Sequence, residues 1–157
     1  MASQSIEHRV HIAAPPAAVW ATIADTRRYA EWVVNTLEVV RASSDVADAG
    51  VTYEERNRIA GPLTGGSSWR VASCEPPRHA VHDGEGIWIA KSMRLEMTVE
   101  PDGEGTAYTH HFSYEPALGP LGRLVNLALR PSLARDMRRT IERLKTLCET
   151  EAAAQPT

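Results

Sequence analysis

The sequence is short of several things, and each shortage excludes a class of protein. It holds one Phe and two Cys in 157 residues. No charge-free apolar run approaches the roughly 18 residues needed to span a bilayer, so no transmembrane segment is expected. Cys74 and Cys148 lie far apart and form no CxxC pair, which reads as two reduced, buried thiols rather than a disulfide framework. The first residues, Met1 to His8, lack a basic stretch followed by an apolar one, so no secretory leader is expected and the location reads as cytoplasmic. Basic residues are not in excess: 17 Lys and Arg stand against 20 Asp and Glu, for a formal net charge of −3. That balance argues against a general binder of nucleic acid or anionic membrane. GxSxG, HExxH, P-loop and dinucleotide GxGxxG motifs are missing. His79 and His82 are three apart, which on a strand puts them on opposite faces, and no Cys or carboxylate spacing completes a zinc site. Neither a metal nor a cofactor is expected.

What is present describes one soluble α+β domain over residues 1–150 with a flexible tail at 151–157. Ile6 to Ile12 alternates apolar and polar residues with period two, the pattern of a half-buried strand. Pro15-Pro16 then suits a first helical turn, with Val19, Trp20 and Ile23 at helical spacing. Asp25-Thr26 reads as a fresh cap for a second short helix, Arg27 to Glu31, which delivers Trp32 to a bend. From Leu37 to Tyr114 the chain reads as strands separated by turns at Ser43–Gly50, Gly61–Gly66, Glu75–Pro77, Asp83–Gly86 and Pro101–Gly105. Without helical pattern between them, these strands form an antiparallel meander.

After Gly119-Pro120, Leu121, Leu124, Val125, Ala128, Leu129, Leu133, Met137, Ile141, Leu144 and Cys148 follow three- and four-residue steps. This is one stripe on a helix of about 30 residues, with a kink expected at Pro131. Such a stripe must be buried, and the sheet is the available partner. With a single Phe and small or aliphatic residues before Pro131, a twisted sheet closing on that helix leaves room for a cavity.

Three stretches carry a family likeness: Val10 to Trp20, Asp25 to Trp32, and Leu118 to Leu124 leading into the helix that ends at Glu149. Together they resemble the START/Bet v 1-like (SRPBCC) superfamily, and within it the bacterial polyketide cyclase/dehydrase-like proteins. The resemblance implies a helix-grip fold, in which a curved antiparallel sheet of about seven strands wraps a long C-terminal helix. Two short helices follow the first strand. It implies a cavity for lipids, hormones, polyketides or quinones, which some members cyclise or dehydrate and others only carry.

Strand parity selects the cavity side chains. Tyr53, Glu55 and Asn57 share the apolar face of their strand. An inward Glu55 has either a partner or a raised pKa suited to acid–base work, or it sits solvated near the strand end. Trp69 faces the same way while Arg70 faces out, unless a bulge flips the register. Some cyclases of the family use a pocket Arg from this region. Met93 lies on an apolar face interrupted by Lys91, which is expected to snorkel at the cavity rim. Tyr108, His110 and Phe112 share a face, His110 being either a hydrogen-bonded core residue or a second acid–base group. Trp32, Leu124 and Ala128 complete the expected ligand wall, with Glu55 and His110 as the catalytic candidates.

Three functions fit these residues. One is a cyclase/dehydratase, of lyase or isomerase type, acting on an apolar polyketide-like ligand. Another is a non-catalytic carrier or sensor of a lipid, quinone or polyketide. The third is an interaction module using its Arg-bearing helix face. A monomer or a homodimer suits each.

Overall fold

The alternation at the start of the chain becomes strand β1 (Gln4–Ile12), whose residues are exposed and covered in turn. The structure, a computed structural model, describes residues 3–155. Pro16 opens helix α1 (Pro16–Ile23) from an extended Pro15, at the position where a missing N–H costs nothing. Asp25 caps the next turn: its Oδ1 accepts from the Arg27 N–H at 3.0 Å. A 3-10 turn (Thr26–Arg28) then runs into helix α2 (Tyr29–Trp32), which ends with Trp32 buried.

Six further strands follow: β2 (Thr36–Ala42), β3 (Thr52–Ala60), β4 (Leu63–Glu75), β5 (His79–Glu85), β6 (Ala90–Asp102) and β7 (Gly105–Pro116). They form an antiparallel seven-stranded sheet in the order β1-β7-β6-β5-β4-β3-β2. The sequential meander leaves β1 and β2 as the two edges, with α1 and α2 bridging them. Helix α3 (Gly119–Ala154) packs against the sheet's inner face. This is the helix-grip architecture expected from the sequence.

Two turns fall elsewhere than expected. The break at Gly61–Gly66 contracts to Gly61-Pro62, because Thr64, Gly65 and Gly66 already pair with Arg58, Asn57 and Arg56. Likewise Asp83 and Gly84 belong to β5, and the chain turns at 86–89 instead, where Gly86 takes a φ of +101°. Gly84 serves packing rather than turning. A Cβ there would lie 2.6 Å from the Trp69 ring, so its lack of a side chain lets the indole lie on the strand.

Helix α3 extends for 36 residues, unbroken through Pro131 and through Glu151 to Ala154, where a tail was expected. Of that tail, residues 156–157 lie outside the described residues. The C-terminal half is well anchored. Met137, Ile141, Leu144 and Cys148 are buried, the Glu149 carboxylate accepts from the Ala13 N–H at 2.9 Å, and Arg28 pairs with Glu151.

The first half departs from the expected stripe. Leu121, Leu124 and Leu127 are 62%, 66% and 71% exposed, and Ala128 is exposed too. The cause is geometric. At about 100° per residue, Leu121, Leu124 and Ala128 fall on the side of α3 opposite the buried Met137, Ile141 and Leu144. Of the expected stripe, Val125, Leu129 and Leu133 keep the inner side, joined by Gly122 and Asn126. Among the described residues no helix is long and apolar enough to cross a membrane.

Candidate functional site

Between the sheet, α2 and the first half of α3 lies a cavity of about 180 Å³. A cavity of about 150 Å³ holds benzene, so this one suits a compact ring system unless its walls move. Val33, Ile59, Ile87, Ile89, Met93, Leu95, Met97, Phe112, Val125 and Leu133 give it apolar walls. Three buried polar clusters stand among its polar groups.

The first cluster sits on β3 and β4. Alternation sends Tyr53, Glu55 and Asn57 inward, and all three are buried. Glu55 Oε1 accepts from the Thr36 hydroxyl at 3.1 Å, and Oε2 accepts from the Asn57 amide at 3.2 Å. The Asn57 carbonyl in turn accepts from the Ser67 hydroxyl at 2.6 Å, which accepts from Trp69 Nε1–H at 2.9 Å. The result is a buried chain of neutral donors ending on a carboxyl group. Burial raises the Glu55 pKa, and the hydrogen bonds from Asn57 and Thr36 offset only part of that rise.

Two Tyr–His pairs make the other clusters. Tyr53 Oη and His82 Nδ1 are 2.8 Å apart, as are Tyr108 Oη and His110 Nδ1. Burial lowers the His82 pKa to about 4 and that of His110 to about 3, so both rings are neutral near pH 7. Burial also raises the pKa of each tyrosine, so each phenol keeps its proton. With the phenol donating to Nδ1, each imidazole carries its proton on Nε2, an assignment that satisfies both partners of the pair. His82 Nε2, Tyr29 Oη and Trp32 Nε1 are buried without a hydrogen-bond partner among the described residues. All three residues line the cavity.

Of the residues expected at the site, Glu55, His110, Trp32, Tyr53, Asn57, Trp69, Met93 and Phe112 line this cavity. Tyr108 is fully buried behind His110 and touches the site through that ring. Lys91 does not reach it. The pairing of β6 with β7 shifts between Ala90 and Ser92, so Lys91 bulges outward and meets Glu115 at 3.1 Å. Leu124 and Ala128 are excluded because they lie on the outward side of α3. Arg70 faces out, as its parity predicted.

Sequence reasoning missed Thr36, His82, Asn126 and Asp136, all on the cavity wall, and Ser67, which links the wall residues Asn57 and Trp69. Extending β4 back to Leu63 would have exposed Ser67, two residues from Trp69 and paired with Glu55. His82 was tested only as a zinc ligand, though it pairs with Val71 on the inward parity of Trp69. Asn126 and Asp136 also show that α3 contributes polar groups to the cavity as well as apolar wall.

Residues 3–149 match the family described as polyketide cyclase / dehydrase and lipid transport. The chain belongs to this family. Among curated members, the Toxin Rv0910 of Mycobacterium tuberculosis is 26% identical over 142 residues, covering 88% of this chain and 93% of that protein. Among solved structures, the Zhui aromatase/cyclase of a Streptomyces species superposes with a TM-score of 0.83 at 20% identity, covering 99% of this chain and all of that one. The di-domain aromatase/cyclase StfQ of the steffimycin biosynthetic pathway gives a TM-score of 0.73 at 13% identity, over 97% of this chain and 52% of that one. Ara h 8.0201 gives 0.69 at 7% identity over 95% of this chain and 99% of that one. At these identities the structural likeness shows the shared fold, and family membership supports a polyketide-related ligand-binding role.

Proposed function

We propose that the cavity binds a compact, largely apolar polyketide-like ligand and that Glu55 moves protons in its cyclisation or dehydration. The observation that carries this reading is a buried carboxyl group on an apolar wall, held by neutral donors. Among the described residues its hydrogen-bond partners are the uncharged Thr36 and Asn57. A group so placed holds a proton more readily than a surface glutamate and exchanges it nearer neutral pH. In a dehydration, the Glu55 carboxylate takes the proton on the carbon beside a ligand carbonyl. The β-hydroxyl leaves, accepts that proton from Glu55, and departs as water, which restores the carboxylate. His110, neutral and with its proton on Nε2, donates to a ligand carbonyl and stabilises the enolate oxygen as it forms. The cavity's shape supplies the folded conformation of the chain, which can lower such a barrier by several kcal/mol. The protein works in the cytoplasm, where Cys74 and Cys148 stay reduced.

Glu55→Gln tests the proton transfer, since the amide keeps shape but cannot take a proton. Turnover of a poly-β-ketone substrate is expected to fall by about a hundredfold or more, with ligand affinity within about tenfold. Undiminished turnover in that variant removes Glu55 from the mechanism. A carrier remains the second reading, because apolar walls alone suffice for it. Native mass spectrometry with chromatography of the extracted ligand separates the two: a carrier returns its ligand unchanged after incubation, whereas the enzyme returns a ring-closed isomer of equal mass and different retention, or a product about 18 mass units lighter where water leaves.

A further inference from the structure

The first half of α3 carries a surface that the cavity does not use. Leu121, Leu124 and Leu127 stand 62%, 66% and 71% exposed on successive turns, and Leu118 is 47% exposed. Beside them is the turn at 86–89, whose Trp88 is 53% exposed. The backbone ties the two together, because the Ala117 N–H donates to the Ile89 carbonyl at 3.0 Å. Single exposed leucines need no explanation, but a row of them beside an exposed Trp marks a contact surface. The patch is also continuous with the cavity: Ile87 and Ile89 flank Trp88 and line the interior, as does Leu118.

Charge decides what this surface meets. The net charge of −3 speaks against general attraction to anionic surfaces, but the charge is not evenly spread. Between Ala117 and Arg135 there is no acidic residue, and from Gly119 to Arg139 five arginines stand against one aspartate, Asp136. On a helical projection Arg135 and Arg138 fall on the same outward side as Leu124 and Leu127, two to four turns further along. The nearest carboxylate on β7, Glu115, is taken by Lys91. An apolar tip followed along the same face by arginines lets a helix that meets a bilayer tip-first place its leucines among acyl chains and its guanidinium groups at the phosphates.

We infer that the exposed leucine row of α3, with Trp88, docks on an anionic lipid bilayer and presents the adjoining end of the cavity to it. An apolar ligand then passes between bilayer and cavity without crossing water. This inference is independent of the proton chemistry at Glu55, and its test leaves that site untouched.

Flotation with phosphatidylglycerol/phosphatidylcholine vesicles, with pure phosphatidylcholine vesicles as comparison, tests it. Wild-type protein is expected to float with the anionic vesicles and to detach at about 1 M salt, where the screening length is about 3 Å. Leu124→Glu/Leu127→Glu is expected to lower partitioning by at least about tenfold. Both positions are in solvent, and circular dichroism checks that the fold survives. A second reading comes from tryptophan emission, which is expected to shift to the blue on anionic vesicles and to be quenched by brominated lipid in the wild type, and to lose both responses in Trp88→Phe, which keeps Trp20, Trp32 and Trp69. Failure of the wild type to float, equal floating of the double variant, or equal binding to pure phosphatidylcholine overturns the inference. So does a dimer in solution that the double variant dissociates, with no vesicle binding, because a second copy then covers the patch.

Discussion

His82 and His110 are folded into the protein as neutral rings, and acid should expose the cost. Burial holds their pKa values at about 4 and about 3, against 6.5 for the free side chain. Between these values the unfolded chain binds protons that the folded chain refuses, so stability falls as pH falls. The contribution is fully present above pH 6.5 and is lost on the way down towards the folded values. Working from about 1.4 kcal/mol per pH unit, acidification from about pH 7 to about pH 5 costs about 2 kcal/mol for each ring. The pair together loses about 4 kcal/mol, a large share of the roughly 5–15 kcal/mol that stabilises a small domain. At a urea slope of about 2 kcal/mol per molar, the unfolding midpoint moves down by about 2 M. His110→Gln removes one of the two titrations while leaving an acceptor for Tyr108, so about half of that shift should vanish. Glu55 acts with the opposite sign, since its raised pKa makes stability fall as pH rises; the difference between wild type and variant cancels it. The assay is urea unfolding across that pH range, together with NMR titration of the two ring C–H signals. A midpoint shift that survives unchanged in His110→Gln, or ring signals that titrate near pH 6.5, would refute the neutral-ring account and with it the proton assignment to Nε2.

The remaining expectations concern packing and the limits of the site. Gly84→Ala drives a methyl group into the Trp69 ring, and thermal unfolding should show a loss of about 1–3 kcal/mol. Lys91→Ala and Leu124→Ala should leave the ligand affinity within about twofold by calorimetry, because both side chains point into solvent. Glu55→Gln should gain stability over wild type as pH rises, because its amide has no charge to bury, and urea unfolding at alkaline pH reads the difference.

Much of the site follows from side-chain alternation. Tyr53, Glu55 and Asn57 had to share a face with one another, as did His110 and Phe112, because the strand period is two wherever pairing is regular. Lys91 escaped because regular pairing fails there: the shift between Ala90 and Ser92 inserts one residue, and a single insertion reverses the face. Ser67 was hidden by the glycines before it. Gly65-Gly66 reads as a turn in sequence, yet it lies in β4 beside Asn57 and Arg56.

The family resemblance implied the helix-grip fold, and the sequence by itself determined the antiparallel meander, the long closing helix, and an inward Glu55 on an apolar strand face. The last three depend on local periodicity, which each segment carries in its own residues. Tertiary structure alone decided which side of α3 meets the sheet, that His82 takes Tyr53 as its partner, and that Thr36 reaches Glu55. These contacts join residues distant in the chain, and their partners are set by strand register and helix rotation. A pattern of three- and four-residue steps fixes that a helix is amphipathic. It leaves open the rotation that turns Val125 inward and Leu124 to solvent, because neighbours about 100° apart both fit such a pattern.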